Sequence, residues 1–160
     1  MKVQKVIDLI NAEADELLDT DEDNIPYVNH ALDVLAYFLA GIGDPEVIKT
    51  ASIKDKTNVP NDFVDFIPKN GYPLYLENGK IRSMTGNTVN GVKYRIMFPK
   101  VSDLTDDMPC RDMYVNAIVL TASYLIKKKT YIPVEYCTQD KEFVMQVMQM
   151  IQSVRGGQNG

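Results

Sequence analysis

The hydrophobic positions change period along the chain, and the changes divide it into segments. From Val3 to Leu18 the apolar residues Val3, Val6, Ile7, Ile10, Ala14, Leu17 and Leu18 recur at steps of three and four, the spacing of one helical face. The polar run Asp19–Asn24 interrupts this helix, and Asn24 is placed to cap the next. Pro26 suits a first helical turn. Tyr27 to Ala40 then carries Ala31, Leu32, Leu35, Ala36, Phe38 and Leu39 before Gly41-Ile42-Gly43 stops it.

Past this point the period shortens. Glu46 to Lys54 fits both a helical turn and strand alternation and is read as a strand. Val59 to Pro68 reads as a short turn capped by Asn61 or Asp62, with Phe63, Phe66 and Ile67 inward. Tyr72–Glu77 and Lys80–Met84 flank Asn78-Gly79, a dipeptide that tolerates the positive φ values of a type I′ turn, so a hairpin is expected there. A second dipeptide, Asn90-Gly91, precedes a strand in which Val92, Tyr94, Ile96 and Phe98 alternate with Lys93, Arg95 and Met97. Pro99 ends it, and an acidic connection, Val101–Pro109, follows.

Helical spacing then returns. Arg111 to Lys128 has an apolar band wide enough to predict a mostly buried helix, closed by Lys127-Lys128-Lys129, which complements the negative end of the helix dipole. The last helix is expected from about Thr138 to Val154, with Phe143, Val144, Val147, Met148, Ile151 and Val154 on one face and Met145 and Met150 widening it. The expected fold is therefore α+β, mainly α: a bundle of about four helices with a central β-hairpin or strand insertion. It forms a single domain over residues 1–155, with residues 156–160 as a flexible, Gly-rich tail.

Composition narrows the function classes. Hydrophobic residues make up 45% and charged residues 24% of the 160, ordinary globular usage. The longest apolar stretches fall short of the roughly 20 residues that cross a bilayer, and charges interrupt the N-terminal segment, so a cytoplasmic product without a membrane partner is expected. A net charge of −5 argues against general nucleic-acid binding, which needs clustered Lys and Arg. Cys110 and Cys137 are too few and too far apart for a disulfide framework and are expected to be free thiols.

Candidate chemistry is sparse. Asp19-x-Asp21-x-Asp23 resembles the opening of a calcium-binding loop, but Asn24, Pro26 and His30 stand where that loop needs glycine at its sixth position, a regular eighth and glutamate at its twelfth. The single histidine, His30, has no second His or Cys at ligand spacing, and no glycine-rich phosphate-binding motif occurs. No catalytic, cofactor or metal site is expected, and no enzymatic role. Methionine is the unusual residue. Met145, Met148 and Met150 on the last helix read first as gap-filling core side chains and second as an adaptable contact surface, and the apolar coverage of the last two helices exceeds the needs of a two-helix contact.

The order of two helices, then Val59-Pro60-Asn61-Asp62-Phe63 opening a hairpin region, then Tyr94-Arg95-Ile96, an Asp-rich loop and helix Tyr114–Leu120 resembles tailed-bacteriophage head-to-tail adaptor (connector, head-completion) proteins. The resemblance implies a structural virion protein, made in the host cytoplasm and located in the neck. It implies a homo-oligomer, a dodecameric ring between the portal protein and the neck or tail proteins, with DNA passing the lumen without sequence-specific contact. The candidate interaction surface is then Phe143, Val147, Met148, Met150 and Ile151 on the last helix, with Asn78, Gly79, Asn90 and Gly91 in the hairpin region. The alternative is a small helical interaction or regulatory module that does not assemble into rings.

Overall fold

A computed structural model describes the backbone of residues 1–130 and 134–156, with side chains over 1–129 and 141–156. The side chain of Cys137 and residues 157–160 of the tail lie outside the described residues. The chain divides into two compact units, residues 1–38 with 100–160, and residues 39–99.

The first unit is helical. It contains α1 (Val3–Glu13), most of α2 (Ile25–Gly41), α3 (Val115–Thr130) and α4 (Val134–Gly156), with short 3₁₀ turns at Glu22–Asn24 and Asp112–Tyr114. Helix α3 lies against both α1 and α4. Val3, Val6, Ile7 and Ile10 of α1, Ile118, Ala122 and Ile126 of α3, and Val147 and Ile151 of α4 are all buried. Those of α1, with Val147 and Ile151, are positions that the helical period put on one face. The acidic connection after Pro99 also has a structural role, because the carbonyls of Asp106 and Leu104 accept the first backbone N–H groups of α1, from Val3 and Gln4. Helix α1 therefore needs no side-chain N-cap at Lys2 and has none.

Helix α1 is shorter than its apolar period. It ends at Glu13, and Asp15 (φ 55°) and Glu16 (φ 52°) take left-handed backbone conformations. The cause is non-local: Asp21 accepts hydrogen bonds from Gln4 Nε2 (2.9 Å) and Asn11 Nδ2 (3.0 Å), which folds the acidic run back along the helix. Asn24 does not cap α2 as expected. It is buried, and its amide donates backward to the carbonyls of Thr20 and Asp21.

The second unit corrects the expected fold class. In place of a helical bundle with one inserted hairpin, the chain is α+β with two three-stranded antiparallel sheets among the described residues, ordered β1-β6-β3 and β2-β5-β4. The strands are β1 (Ile48–Ile53), β2 (Thr57–Asn58), β3 (Phe63–Phe66), β4 (Leu74–Glu77), β5 (Lys80–Ser83) and β6 (Val89–Ile96). Ile53, Phe66, Leu74, Ile81 and Val92 form a buried cluster, with Phe63, Tyr72 and Tyr94 packed against it. The segment read as a capped turn is strand β3. Its pairing with β6, thirty residues away, is what makes it extended, and a bidentate Arg95–Asp65 contact (2.7 and 3.1 Å) spans the pair. Asn90-Gly91 is no turn either. It lies inside β6, where Gly91 (φ +68°) sits at an irregularity in the pairing with β1, a bulge that only a left-handed residue forms without strain.

Candidate functional site

The expected interaction residues fall in three separate places. On α4, Val147 and Ile151 are each 1% exposed and belong to the core of the helical unit, so neither offers a surface to a partner. Met150 is half-buried. Phe143 lies flat on Tyr124 of α3, rings 3.9 Å apart and 7° from parallel, so its near face is already covered. The outward face instead carries Val144, Met145 and Met148, which are 40%, 54% and 38% exposed. Residues 144 and 148 are one helical turn apart with 145 beside them, a contiguous apolar strip. Val144 was expected on the inner face. The apolar residues of α4 go almost all the way round it, and periodicity alone does not choose the buried side.

The hairpin expected at Asn78-Gly79 is present. Asn78 (φ 49°) and Gly79 (φ 74°) form the turn between β4 and β5, which pair from Leu74↔Ser83 to Glu77↔Lys80. Strand β4 is an edge strand. Both faces of this hairpin end carry uncovered apolar groups. Leu76, cross-strand from buried Ile81, is 52% exposed on one face and Tyr75 is 40% exposed on the other; Met84, 67% exposed, follows β5 at the opposite end of the hairpin from the turn. Asn90 and Gly91 are exposed but lie in the other sheet, so the two Asn-Gly dipeptides are not one surface.

Charge around the hairpin is organised by Arg82, which donates to Asp55 (3.0 Å) and Glu77 (3.2 Å). Asp55 also accepts the Ser83 backbone N–H at 2.9 Å. That N–H and the Arg82 guanidinium hold the Asp55 carboxyl below the usual carboxylate range. Lys54, Lys56 and Lys80 surround this arrangement, exposed, and no ion pair engages them among the described residues; Lys80 Nζ donates to the neutral Asn58 Oδ1. Sequence reasoning passed over them because they cluster only when β2 pairs with β5.

In the helical unit, Leu17, Leu18, Asp19, Asp23, Pro26, Tyr27, His30 and Lys129 line an open cleft of about 550 Å³. The break in α1 created it, since Leu17 and Leu18 would otherwise continue the buried face. Lys129 Nζ lies 5.8 Å from the centre of the Tyr27 ring. The calcium-like run is used internally, with Asp21 holding Gln4 and Asn11 and Asp23 Oδ2 accepting the Thr20 N–H. Among the described residues no three His, Cys, Asp or Glu side chains converge as a metal site, and no helix is long and apolar enough to cross a membrane. Cys110 is buried. Compared with protein-family models and with curated proteins, the chain matches none.

Proposed function

We propose that the chain is a head-to-tail adaptor of a tailed bacteriophage, a structural protein of the virion neck that assembles as a ring between the portal and the neck or tail proteins while DNA passes through the lumen. The observation that carries this reading is the outward strip Val144, Met145 and Met148 on α4, left uncovered although the inner face of the same helix is saturated by the core. Full burial of such side chains is worth about 1.5–3 kcal/mol each, so covering three half-exposed ones returns on the order of 1 kcal/mol apiece. The strip is suited to the portal contact. Its thioethers adapt to irregular contact surfaces. The element order also supports the reading, since two helices precede the strands and two follow them. A net charge of −5 suits a passage that must repel the phosphate backbone.

The test is a mass determination by light scattering, first on the chain alone and then mixed with a portal ring. Wild type should form ring-sized species or bind the portal in multiples, and Met145→Asp should weaken portal binding about tenfold, the scale of a buried hot-spot side chain. A single copy that ignores the portal would refute the adaptor role and leave the small interaction module.

A further inference from the structure

The two units carry opposite charge. Residues 39–99 hold eight Lys or Arg against six Asp or Glu, a balance of +2; residues 1–38 and 100–160 hold nine against sixteen, −7, together the −5 of the whole chain. The division is sharper locally. In the sheet β2-β5-β4 both carboxylates, Asp55 and Glu77, are engaged by Arg82, and Lys54, Lys56 and Lys80 stand exposed beside the hairpin. The cleft of the helical unit has an acidic excess: Leu17, Leu18, Pro26, Tyr27 and His30 line it together with two carboxylates, Asp19 and Asp23, against one lysine, Lys129, whose Nζ lies over the Tyr27 ring. Asp15, Glu16 and Glu22, all exposed, extend the acidic border on either side in sequence.

We propose that the β4–β5 hairpin of one copy inserts into this cleft on the next copy, and that this contact joins the subunits of the ring; the inference rests on the ring reading above. Three features select the occupant. The hairpin end carries an apolar side chain on each face, Leu76 on one and Tyr75 on the other, so a flat surface would cover only one of them whereas a cleft can take both. The open cleft, about 550 Å³, has room for the Leu76 and Tyr75 side chains of the hairpin end. Lys80 on the inserted hairpin, with Lys54 and Lys56 on the connection beside it, meets the carboxylates of the receiving cleft, which steers the encounter and sets the register. Hairpin and cleft are different surfaces of the same chain, so the contact is head-to-tail and propagates, closing as a ring where the rotation allows.

Leu76→Asp removes the hairpin anchor at a position 52% exposed, where folding does not depend on it. His30→Trp plugs the cleft from an exposed position on α2. Each variant, with an unchanged circular-dichroism melt, should require about tenfold higher concentration than wild type to assemble. An equimolar mixture of the two should give two-copy species and nothing larger, because one intact hairpin and one intact cleft remain per pair. Charge reversal should behave alike: Lys54→Glu with Lys80→Glu weakens assembly, and Asp19→Lys with Asp23→Lys restores it in the partner copy. Wild-type rings indifferent to both Leu76→Asp and His30→Trp would overturn this contact and leave the ring reading standing. A wild type that stays single with and without the portal would overturn both. Binding of wild type to a short DNA duplex, lost in the Lys54→Glu, Lys80→Glu variant while assembly is unchanged, would assign the lysines to nucleic acid and overturn the proposal.

Discussion

Replacing Ile81 by alanine should strongly destabilise the β unit. Ile81 lies on β5, the middle strand of its sheet, is 1% exposed, and belongs to the cluster of Ile53, Phe66, Leu74 and Val92. The change deletes three carbons, worth about 2.4 kcal/mol at roughly 0.8 kcal/mol per buried methylene. A residual cavity and the loss of a β-branched residue from a central strand add to this, so the expected cost is about 3 kcal/mol, inside the range of about 2–5 found for such truncations. Urea denaturation followed by far-ultraviolet circular dichroism is a suitable assay. With a slope of about 2 kcal/mol per molar, the midpoint should fall by roughly 1.5 M. The cross-strand partner Leu76, 52% exposed, is the internal control: Leu76→Ala should cost less than about 1 kcal/mol. Equal losses at the two positions, or a loss below about 1 kcal/mol at Ile81, would refute the assignment of Ile81 to a packed core.

Three further outcomes follow from individual contacts. Tyr72→Phe deletes a hydroxyl that donates to the Ile67 carbonyl (2.7 Å) and accepts from the Lys93 N–H (3.0 Å); the cost should be about 1–2 kcal/mol by urea titration, with faster amide exchange at Lys93. Gly91→Ala meets no atom but must hold φ near +68°, so a loss of about 1 kcal/mol is expected from the backbone alone, and a neutral result would refute the bulge. The carboxyls of Asp55, Asp103 and Asp106 are held below their ordinary range, chiefly by backbone N–H groups of Ser83, Thr105 and Ser102 respectively. Their contribution to stability is therefore present above the ordinary carboxylate pKa and is lost as pH falls through the depressed values. A melting-temperature profile should drop on that acid limb, and less steeply for Asp55→Asn.

Local signals determined much of this protein. The apolar period of Val3, Val6, Ile7 and Ile10, the Gly41-Ile42-Gly43 stop and the Asn78-Gly79 turn follow from near neighbours and stand where the sequence places them, whereas Ile48–Ile53, whose spacing fits a helical turn as well, is held as a strand by its pairing with β6. So does the alternation that buries Val92, Ile96 and Phe98. Other features depended on partners remote in sequence. Phe63–Phe66 is a strand because β6 offers it a ladder; Asn90-Gly91 bulges because β1 pairs across it; and α1 stops early because Asp21 finds Gln4 and Asn11. The candidate surfaces divide in the same way. That α4 carries more apolar residues than one contact can cover was legible from composition, whereas the choice of Val147 and Ile151 for the core and Val144, Met145 and Met148 for the outside required α3 to be in place. The cleft and the lysine cluster could not be read at all, since each is assembled from segments that only folding brings together. Periodicity reports which residues share a face of their own element, and only tertiary packing decides which face is buried.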